Sequence, residues 1–269
     1  MSTPNHLRGA VVSVVGSGRV GRALDAALRE AGCDVRGPFG RGDTLPWSDV
    51  VVLCVPDREI ADAAAGARTH GALIGHTSGA TPLTESGVDF GLHPLRAFVG
   101  NEGADAFRGI GCAIAGTSPA ALGVARALVD AIGGSPFEVT DAQRAGYHAA
   151  ASIASNFLVT LEAMAERVAE ASDLPASRFR AHLVPLVRGT VENWAQHGPR
   201  AALTGPIVRG DEPTVQRQRA AVAAAAPEVL PLFDELTART RELAGEPRPA
   251  HDPEVAAARE LARVEESPA

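Results

Sequence analysis

Three polar side chains recur at four-residue spacing within the alanine-rich stretch GYHAAASIASNF, residues 146–157. They are His148, Ser152 and Asn156, and on a helix residues four apart lie one above another, so the three form a single polar face. An imidazole on that face can give a proton to a substrate oxygen, and Ser152 and Asn156 can orient the substrate. The alternative is structural, since the same groups can bond other helices across an alanine-rich interface.

A second group of residues with chemical meaning is the motif GSGRVG near the N-terminus, which consists of Gly16, Ser17, Gly18, Arg19, Val20 and Gly21. The motif follows the apolar run AVVSVV and opens an amphipathic segment, which is the strand–loop–helix context of a dinucleotide-binding turn. Glycines permit a tight turn and close approach of a pyrophosphate, and the helix N-terminus favours its negative charge. The motif therefore predicts a dinucleotide site, and the alternative is a glycine turn that is only structural.

The residues after the second predicted strand indicate which dinucleotide is bound. NAD-binding folds place an acidic residue roughly 20 positions after the glycine motif. In that region this chain offers Arg36 and Arg41, whereas Asp34 comes too early and Asp43 comes late. Arginine suits a 2′-phosphate, so NADP (as NADPH) is the predicted cofactor and Arg41 a predicted ligand, and the alternative is a solvated loop arginine. The tripeptide that closes the next predicted strand is expected beside the same cofactor and consists of Val55, Pro56 and Asp57.

Polar groups at the ends of later strands are candidates for contact with a substrate. The segment HTSGA offers the Ser78 hydroxyl and the Gly79 amide for a carboxylate or carbonyl. His93, in GLHPL, is a candidate hydrogen-bond donor, and the alternative is that it only orders its loop. Arg209, in ALTGPIVRGD, is a candidate for binding a substrate carboxylate. The alternative is that Arg209 pairs with Asp211, which then caps the next helix.

Composition narrows the chemistry. All 25 basic residues are arginine, which excludes a lysine amine as acid, base or Schiff-base former. The net charge of −7 argues against a general nucleic-acid binder, and the chain has no apolar run long enough to predict a membrane span. Three scattered cysteines and the lack of a secretory signal predict a cytoplasmic protein with neither disulfides nor a metal cluster.

The order of predicted elements indicates an α/β fold, in which an N-terminal Rossmann-type doubly wound parallel sheet is followed by an all-α C-terminal domain. Short apolar runs alternate with helical patterns up to about residue 140, and long Ala/Leu-rich periodic segments follow. Thr140 and Gln143 predict a capping box that opens the first of these helices. We therefore expect an NADP-binding domain at 9–140, a helical substrate and dimerisation domain at 141–245, and mobile tails at 1–8 and 246–269.

Several motifs together resemble a family of Rossmann-like proteins with a helical C-terminal domain, long labelled as of unknown function. The motifs are VPD, HTSGA, LHPL, YHAAASIASNF, PLVRGTVEN and ALTGPIVRGD, and the resemblance runs from about Val11 to Leu243. In layout the family is similar to 6-phosphogluconate, hydroxyisobutyrate and prephenate dehydrogenases and to pyrroline-5-carboxylate reductase. Some members are regarded as ketopantoate reductases, so the resemblance implies NADPH-dependent reduction of 2-dehydropantoate to pantoate in pantothenate and coenzyme A synthesis.

The resemblance leaves the proton donor open. Related hydroxyacid dehydrogenases place a lysine on the first long C-terminal helix, with an asparagine a turn further on, whereas this chain offers His148 and Ser152 before Asn156. We expect a small anionic 2-oxo acid to bind between the domains, with its carboxylate held by Ser78 or Arg209. In this interpretation His148 supplies the proton and Asn156 polarises the carbonyl.

Two other functions remain open from the sequence, and one assembly is expected. The first alternative is an imine or pyrroline-carboxylate reductase of similar architecture. The second is a non-catalytic NADP-binding sensor or scaffold, because a fold alone does not establish a function. Long alanine-rich amphipathic helices allow close packing between subunits, so we expect a homodimer through the helical domain.

Overall fold

The computed structural model describes residues 7, 9–68 and 72–245, and the chain divides into two compact units, Met1–Phe157 and Leu158–Ala269. The first unit contains a seven-stranded sheet with the order β2-β1-β3-β4-β5-β6-β7. Its strands are β1 (Val11–Val15), β2 (Asp34–Phe39), β3 (Val50–Leu53), β4 (Leu73–His76), β5 (Phe90–Pro94), β6 (Gly111–Gly116) and β7 (Ser135–Glu138).

Most neighbouring strands of the sheet run parallel, and one pair does not. β5 and β6 pair in antiparallel fashion, with His93 opposite Ala113. Only a 3-10 turn, Ala104–Phe107, forms between these two strands in the described part of the chain, so no crossover helix carries the chain back to a parallel start. The α/β class with a Rossmann-type sheet is confirmed, although β5 was not among the predicted strands and β6 and β7 run opposite to the rest.

The helices of the first unit cover both faces of the sheet. They are α1 (Arg19–Glu30), α2 (Ile60–Ala67), the short α3 (Leu83–Ser86), α4 (Pro119–Ala131) and α5 (Asp141–Ser152). On one face Val12 and Val52 pack in a cluster with Leu24, and on the other Val51 packs with Ile60. Strands that are buried on both faces are mostly apolar, which explains the runs AVVSVV and DVVVLCV, and the buried Ser13 hydroxyl pairs with that of Ser48 at 2.6 Å.

Helix α5 belongs to the first unit, so this compact unit extends beyond the expected boundary at residue 140 and ends at Phe157. The predicted capping box is present, because Thr140 and Gln143 cap the first turn of α5 reciprocally. The carboxylate of Asp141 then accepts the amides of Leu83 and Thr84 at 3.0 and 3.1 Å. These bonds tie the start of α5 to the sheet domain, and a π-helical segment, Ile153–Phe157, follows the helix.

The second unit is helical in its described part. It consists of α6 (Leu158–Ala171), α7 (Ala176–Ala202), α8 (Glu212–Ala225) and α9 (Leu230–Ala244). Its buried cluster is small and contains Val222, Ala226 and Val229. Among the described helices none has the length and apolar character needed to cross a membrane. Most of the two expected tails lies outside the described residues, but Leu7 is described and packs in the sheet core.

Candidate functional site

The three motif glycines between β1 and α1 differ in what surrounds them. Gly16 has φ +107°, and a Cβ there would lie 2.2 Å from the Cys54 carbonyl oxygen. A Cβ on Gly21 would lie 1.8 Å from the Gly16 carbonyl oxygen, so α1 packs directly on the loop. A Cβ on Gly18 would meet open space. The loop therefore has the shape of a dinucleotide cradle, since a tight turn and close helix packing flank a bare backbone surface that a pyrophosphate can approach.

This loop opens onto a cleft of about 700 Å³, which we call the glycine cleft. Its walls include Gly16, Ser17, Gly18, Arg41, Cys54, Val55, Pro56 and Glu59. Arg41 is largely exposed, and its guanidinium lies 2.8 Å from the Glu59 carboxylate. Glu59 is thus the partner of Arg41 in the structure, and the contact of Arg41 with a 2′-phosphate stays a prediction.

The remaining residues predicted for the cofactor contribute in other ways. Arg19 donates to the Phe98 carbonyl at 3.0 Å, and Val20 packs against the sheet core. Asp57 begins the 3-10 turn that leads into α2. The side chains of Arg19 and Val20 thus contact the protein itself. That these two residues contact a cofactor stays a prediction, and the atoms concerned would be those of their backbone.

A second cavity, of about 520 Å³, lies entirely within the first unit, and we call it the polar cavity. It is lined by His93, Leu95, Arg96, Ala97, Tyr147, His148, Ala150, Ala151, Ser152, Ala154, Ser155 and Asn156. The structure thus brings the polar face of α5 and its π-helical extension together with His93, as candidates for one site. Short π-helical segments occur frequently at functional sites, which fits the position of Asn156 here.

A cluster of three rings forms one wall of the polar cavity. The Nδ1 atom of His93 and the Tyr147 hydroxyl are 2.6 Å apart, and the two rings meet edge to face. The His93 and His148 ring centroids are 6.1 Å apart. Sequence reasoning did not single out Tyr147, although it is the one tyrosine of the chain and directly precedes His148.

Burial sets the protonation of two of these rings. Burial chiefly, together with the nearby His148 and Arg144 charges, lowers the pKa of His93 to about 4. Burial also raises the pKa of Tyr147 to about 12. Both side chains are therefore neutral near pH 7, and His93 is a hydrogen-bonding group there and not an imidazolium acid.

Ser78 is engaged within its own loop. Its hydroxyl accepts the amides of Ala80 and Thr81 at 3.1 and 3.0 Å and donates to Thr81 Oγ1. The Ser78 carbonyl accepts from Arg144, a guanidinium that is only 2% exposed and lies 3.5 Å from Asp141. Ser78 therefore orders the turn after β4. For its hydroxyl to bind a substrate carboxylate, as predicted, its hydrogen bond to Thr81 would have to be replaced by one to the substrate.

His76 gives a stability prediction. It is fully buried, its Nδ1 accepts the Ser78 amide at 3.2 Å, and burial together with Arg144 lowers its pKa to about 4. Folding keeps His76 neutral, whereas in the unfolded chain it binds a proton more readily. Its contribution to the free energy of unfolding is therefore fully present above about pH 6.5 and is lost as the pH falls toward 4. We expect His76 to lower the free energy of unfolding by about 2 kcal/mol between pH 7 and pH 5.

Urea unfolding at the two pH values measures this change. The His76→Gln variant should show a smaller pH 7 to pH 5 difference, by that same amount. An unchanged difference in the variant would mean that His76 is not the titrating group.

Arg209 lies in the second unit, in the loop before α8, and is exposed. Asp211 caps α8 by accepting the Thr214 amide at 3.2 Å. Hydrogen bonds from Thr214 chiefly, with Arg217 and Arg209 nearby, lower the pKa of the Asp211 carboxyl. The capping role considered for Asp211 is thus confirmed, and the substrate-binding role of Arg209 stays a prediction.

Arg96 is the cation that the polar cavity itself contains, and sequence reasoning missed it. It is exposed on the segment after β5, and one of its guanidinium nitrogens donates to the Ala106 carbonyl at 3.0 Å. This bond fixes the guanidinium at the rim of a cavity that also holds His93 and His148. In the segment LHPLRAF the arginine comes three residues after His93, a candidate site residue. This closeness in sequence is the signal that could have identified Arg96.

Comparison with known proteins places these sites in a recurrent fold. Residues 110–240 match a family described as a domain of unknown function, DUF2520. Protein TM1727 of Thermotoga maritima has a similar structure, with a TM-score of 0.72, 24% identity, and coverage of 87% of this chain and 98% of that one. BF3122 of Bacteroides fragilis, which carries the provisional name NADP oxidoreductase, gives a TM-score of 0.71, 21% identity and coverage of 87% and 98%.

A reductive aminase of Aspergillus terreus, solved with NADPH and ethyl-5-oxohexanoate, is also similar to the chain. Its TM-score is 0.57 at 17% identity, with coverage of 90% of this chain and 96% of that one. No curated protein matches the sequence significantly. The likenesses establish the fold, a Rossmann-type sheet domain followed by a helical part.

Proposed function

We propose that the chain is an NADP-dependent oxidoreductase that reduces a small 2-oxo acid, with 2-dehydropantoate as the best candidate and pantoate as its product. The observation that carries the proposal is the polar cavity, in which His93, His148 and Asn156 meet a fixed arginine. The glycine cleft supports the cofactor, because Gly18 leaves bare backbone where a pyrophosphate must approach. The NADPH complex of the similarly folded reductive aminase supports the same cofactor.

The residues present fit NADPH, which supplies a hydride to the substrate carbonyl carbon when bound. The glycine loop would hold the pyrophosphate, and Arg41 would hold the 2′-phosphate. On the other side of the reaction, His148 gives a proton to the carbonyl oxygen, and Asn156 orients that oxygen. The product is the corresponding 2-hydroxy acid, and His148 regains its proton from solvent through the open cavity.

Arg96 is proposed to bind the substrate carboxylate, because it is the arginine within the cavity and its position is fixed by the Ala106 carbonyl. A guanidinium–carboxylate pair is a charge-assisted contact worth about 1.5–3 kcal/mol. We therefore expect Arg96→Gln to raise KM for the 2-oxo acid by about 10- to 100-fold, with the NADPH dissociation constant unchanged.

Steady-state kinetics in parallel with Arg209→Gln separates the two candidate arginines. An effect confined to Arg96→Gln supports the assignment. An effect confined to Arg209→Gln would instead assign the carboxylate to the loop before α8, which is one of the two sites that the sequence predicted.

The experiment that tests the function mixes the purified chain with NADPH and 2-dehydropantoate and follows the nicotinamide absorbance. NADH and a cyclic imine are the parallel substrates, since an imine or pyrroline-carboxylate reductase is the competing enzyme. Turnover of the imine alone would transfer the proposal to carbon–nitrogen reduction. Tight NADPH binding with no turnover of either substrate would favour a non-catalytic sensor or scaffold.

A homodimer through the helical unit is part of the proposal. Large apolar side chains are exposed along α6, α7 and α9, namely Val159, Leu186, Val191, Trp194 and Leu236. No residue of α7 is buried, although the helix extends from Ala176 to Ala202. Apolar surface on this scale is expected to be covered by a second copy of the chain. Sedimentation equilibrium should give twice the monomer mass, and Trp194→Glu should lower it.

A further inference from the structure

Tyr147 takes no part in the function as proposed above, yet it makes the shortest polar contact of the ring cluster, 2.6 Å to Nδ1 of His93. We propose that Tyr147 is a positioning residue that donates to Nδ1 and thereby holds His93 in the tautomer with hydrogen on Nε2, which donates a hydrogen bond to the oxygen of the bound carbonyl substrate. This assignment rests on the proposed function, since it names a further group at the same site.

The direction of the bond follows from the two partners. A neutral imidazole has one nitrogen that donates and one that accepts, and the hydrogen bond at one nitrogen decides the state of the other. An imidazole nitrogen accepts more strongly than a phenol oxygen, so the Tyr147 O–H donates to Nδ1 and the proton of His93 stays on Nε2. A tyrosine can thus choose the tautomer without carrying charge.

The tyrosine ring is held from two sides. Its centroid is 5.6 Å from that of His93 at an interplanar angle of 83°, and 5.9 Å from that of Phe137 on β7 at 68°. Both contacts are edge-to-face arrangements, which aromatic pairs prefer. The hydroxyl is therefore presented to His93 by a ring that has little freedom to turn away.

Gly79 supplies the space in which both histidines sit. A Cβ on Gly79 would lie 2.8 Å from His93 Nε2 and 2.8 Å from Cδ2 of His148. The backbone of Gly79 thus packs against the two imidazoles, and the missing side chain leaves His93 Nε2 room to form a contact. Any larger residue at this position would displace both rings.

The charges around His93 keep the ring neutral. The groups that act on it are His148 and Arg144, which disfavour protonation, and Asp57, which favours it, while burial outweighs them all and lowers the pKa to about 4. A neutral donor suits a carbonyl oxygen on which negative charge develops, because the donor is already in place before the reaction. His93 then stabilises the oxygen and leaves proton transfer to His148.

Ring-nitrogen NMR of the full-length protein without ligands tests the tautomer directly, with His93→Gln used to assign the signals. We expect His93 to be neutral between about pH 6 and 8, with hydrogen on Nε2 and no hydrogen on Nδ1. Tyr147→Phe should keep the fold and convert His93 to a mixture of tautomers. A wild-type His93 with hydrogen on Nδ1, or an unchanged Nε2–H tautomer in Tyr147→Phe, would overturn the proposal.

Kinetics supplies the second readout and separates this proposal from the function beneath it. Tyr147→Phe should lower kcat for the 2-oxo acid about tenfold with KM unchanged, and should add nothing in the background of His93→Gln. Full kcat in Tyr147→Phe would contradict the positioning role. If the wild type reduces no 2-oxo acid, the proposed function fails, while the NMR result still decides whether Tyr147 sets the tautomer of His93.

Discussion

Replacing Gly18 by alanine should weaken NADPH binding by at least about 100-fold while leaving the melting temperature unchanged. A Cβ at this position meets no atom of the chain within 4 Å, so the folded protein accommodates it. The backbone conformation, φ −71° and ψ −170°, is also one that alanine adopts readily. The added methyl group instead occupies the surface that a pyrophosphate must approach, and several charge-assisted bonds to backbone amides are lost.

Two other glycine variants make this result specific. Gly146→Ala, at an exposed position of α5 where a Cβ also meets open space, should bind NADPH normally and raise stability by about 1 kcal/mol. Gly21→Ala should lower the melting temperature, because its Cβ would overlap the Gly16 carbonyl. Calorimetric titration with NADPH and NADH measures the affinities. Unchanged NADPH affinity in Gly18→Ala would show that the glycine cleft is not the dinucleotide site.

Replacing His148 by alanine should lower kcat for the 2-oxo acid by about 10²- to 10⁴-fold, the usual contribution of a positioned general acid. His148 lines the polar cavity and not the glycine cleft, so the NADPH dissociation constant should not change. The side chain is only half-buried, and the melting temperature should stay close to that of the wild type.

Chemical rescue provides the control for a lost proton donor. The cavity that His148→Ala enlarges is open, and imidazole added to the buffer should restore part of kcat. Asn156→Ala should lose activity without rescue, because its amide orients the oxygen and transfers no proton. Full activity of His148→Ala would contradict the assignment of His148 as the proton donor. It would favour the alternative in which the polar face only bonds other helices.

Local patterns in the sequence were sufficient to predict the strands other than β5 and the glycine loop after β1. The run AVVSVV followed by GSGRVG specifies a buried strand, a tight turn and a helix within a short segment, and the structure has β1, the loop and α1 there. The capping box at Thr140 and Gln143 is equally local. Such features are decided by neighbouring residues, so one sequence is enough to predict them.

Contacts between distant residues set the limit of that prediction. β5 is short, ends in Pro94 and pairs with a strand of opposite direction, and no periodic pattern in the sequence predicted it. The first unit extends to Phe157, and bonds between distant residues tie α5 to it. Asp141 bonds to Thr84, which lies 57 positions earlier in the chain, and Arg144 bonds to Ser78, which lies 66 positions earlier. The pairing of Tyr147 with His93 spans 54 positions, and no spacing rule connects them.

The most direct test of the central claim follows the hydride. The chain would be incubated with 2-dehydropantoate and NADPH that carries deuterium at both C4 positions of the nicotinamide, and the product analysed by mass spectrometry. A 2-hydroxy acid one mass unit heavier, with deuterium on the carbon that carries the hydroxyl, is the predicted result. No labelled hydroxy acid, from protein shown by calorimetry to bind NADPH, would contradict the account.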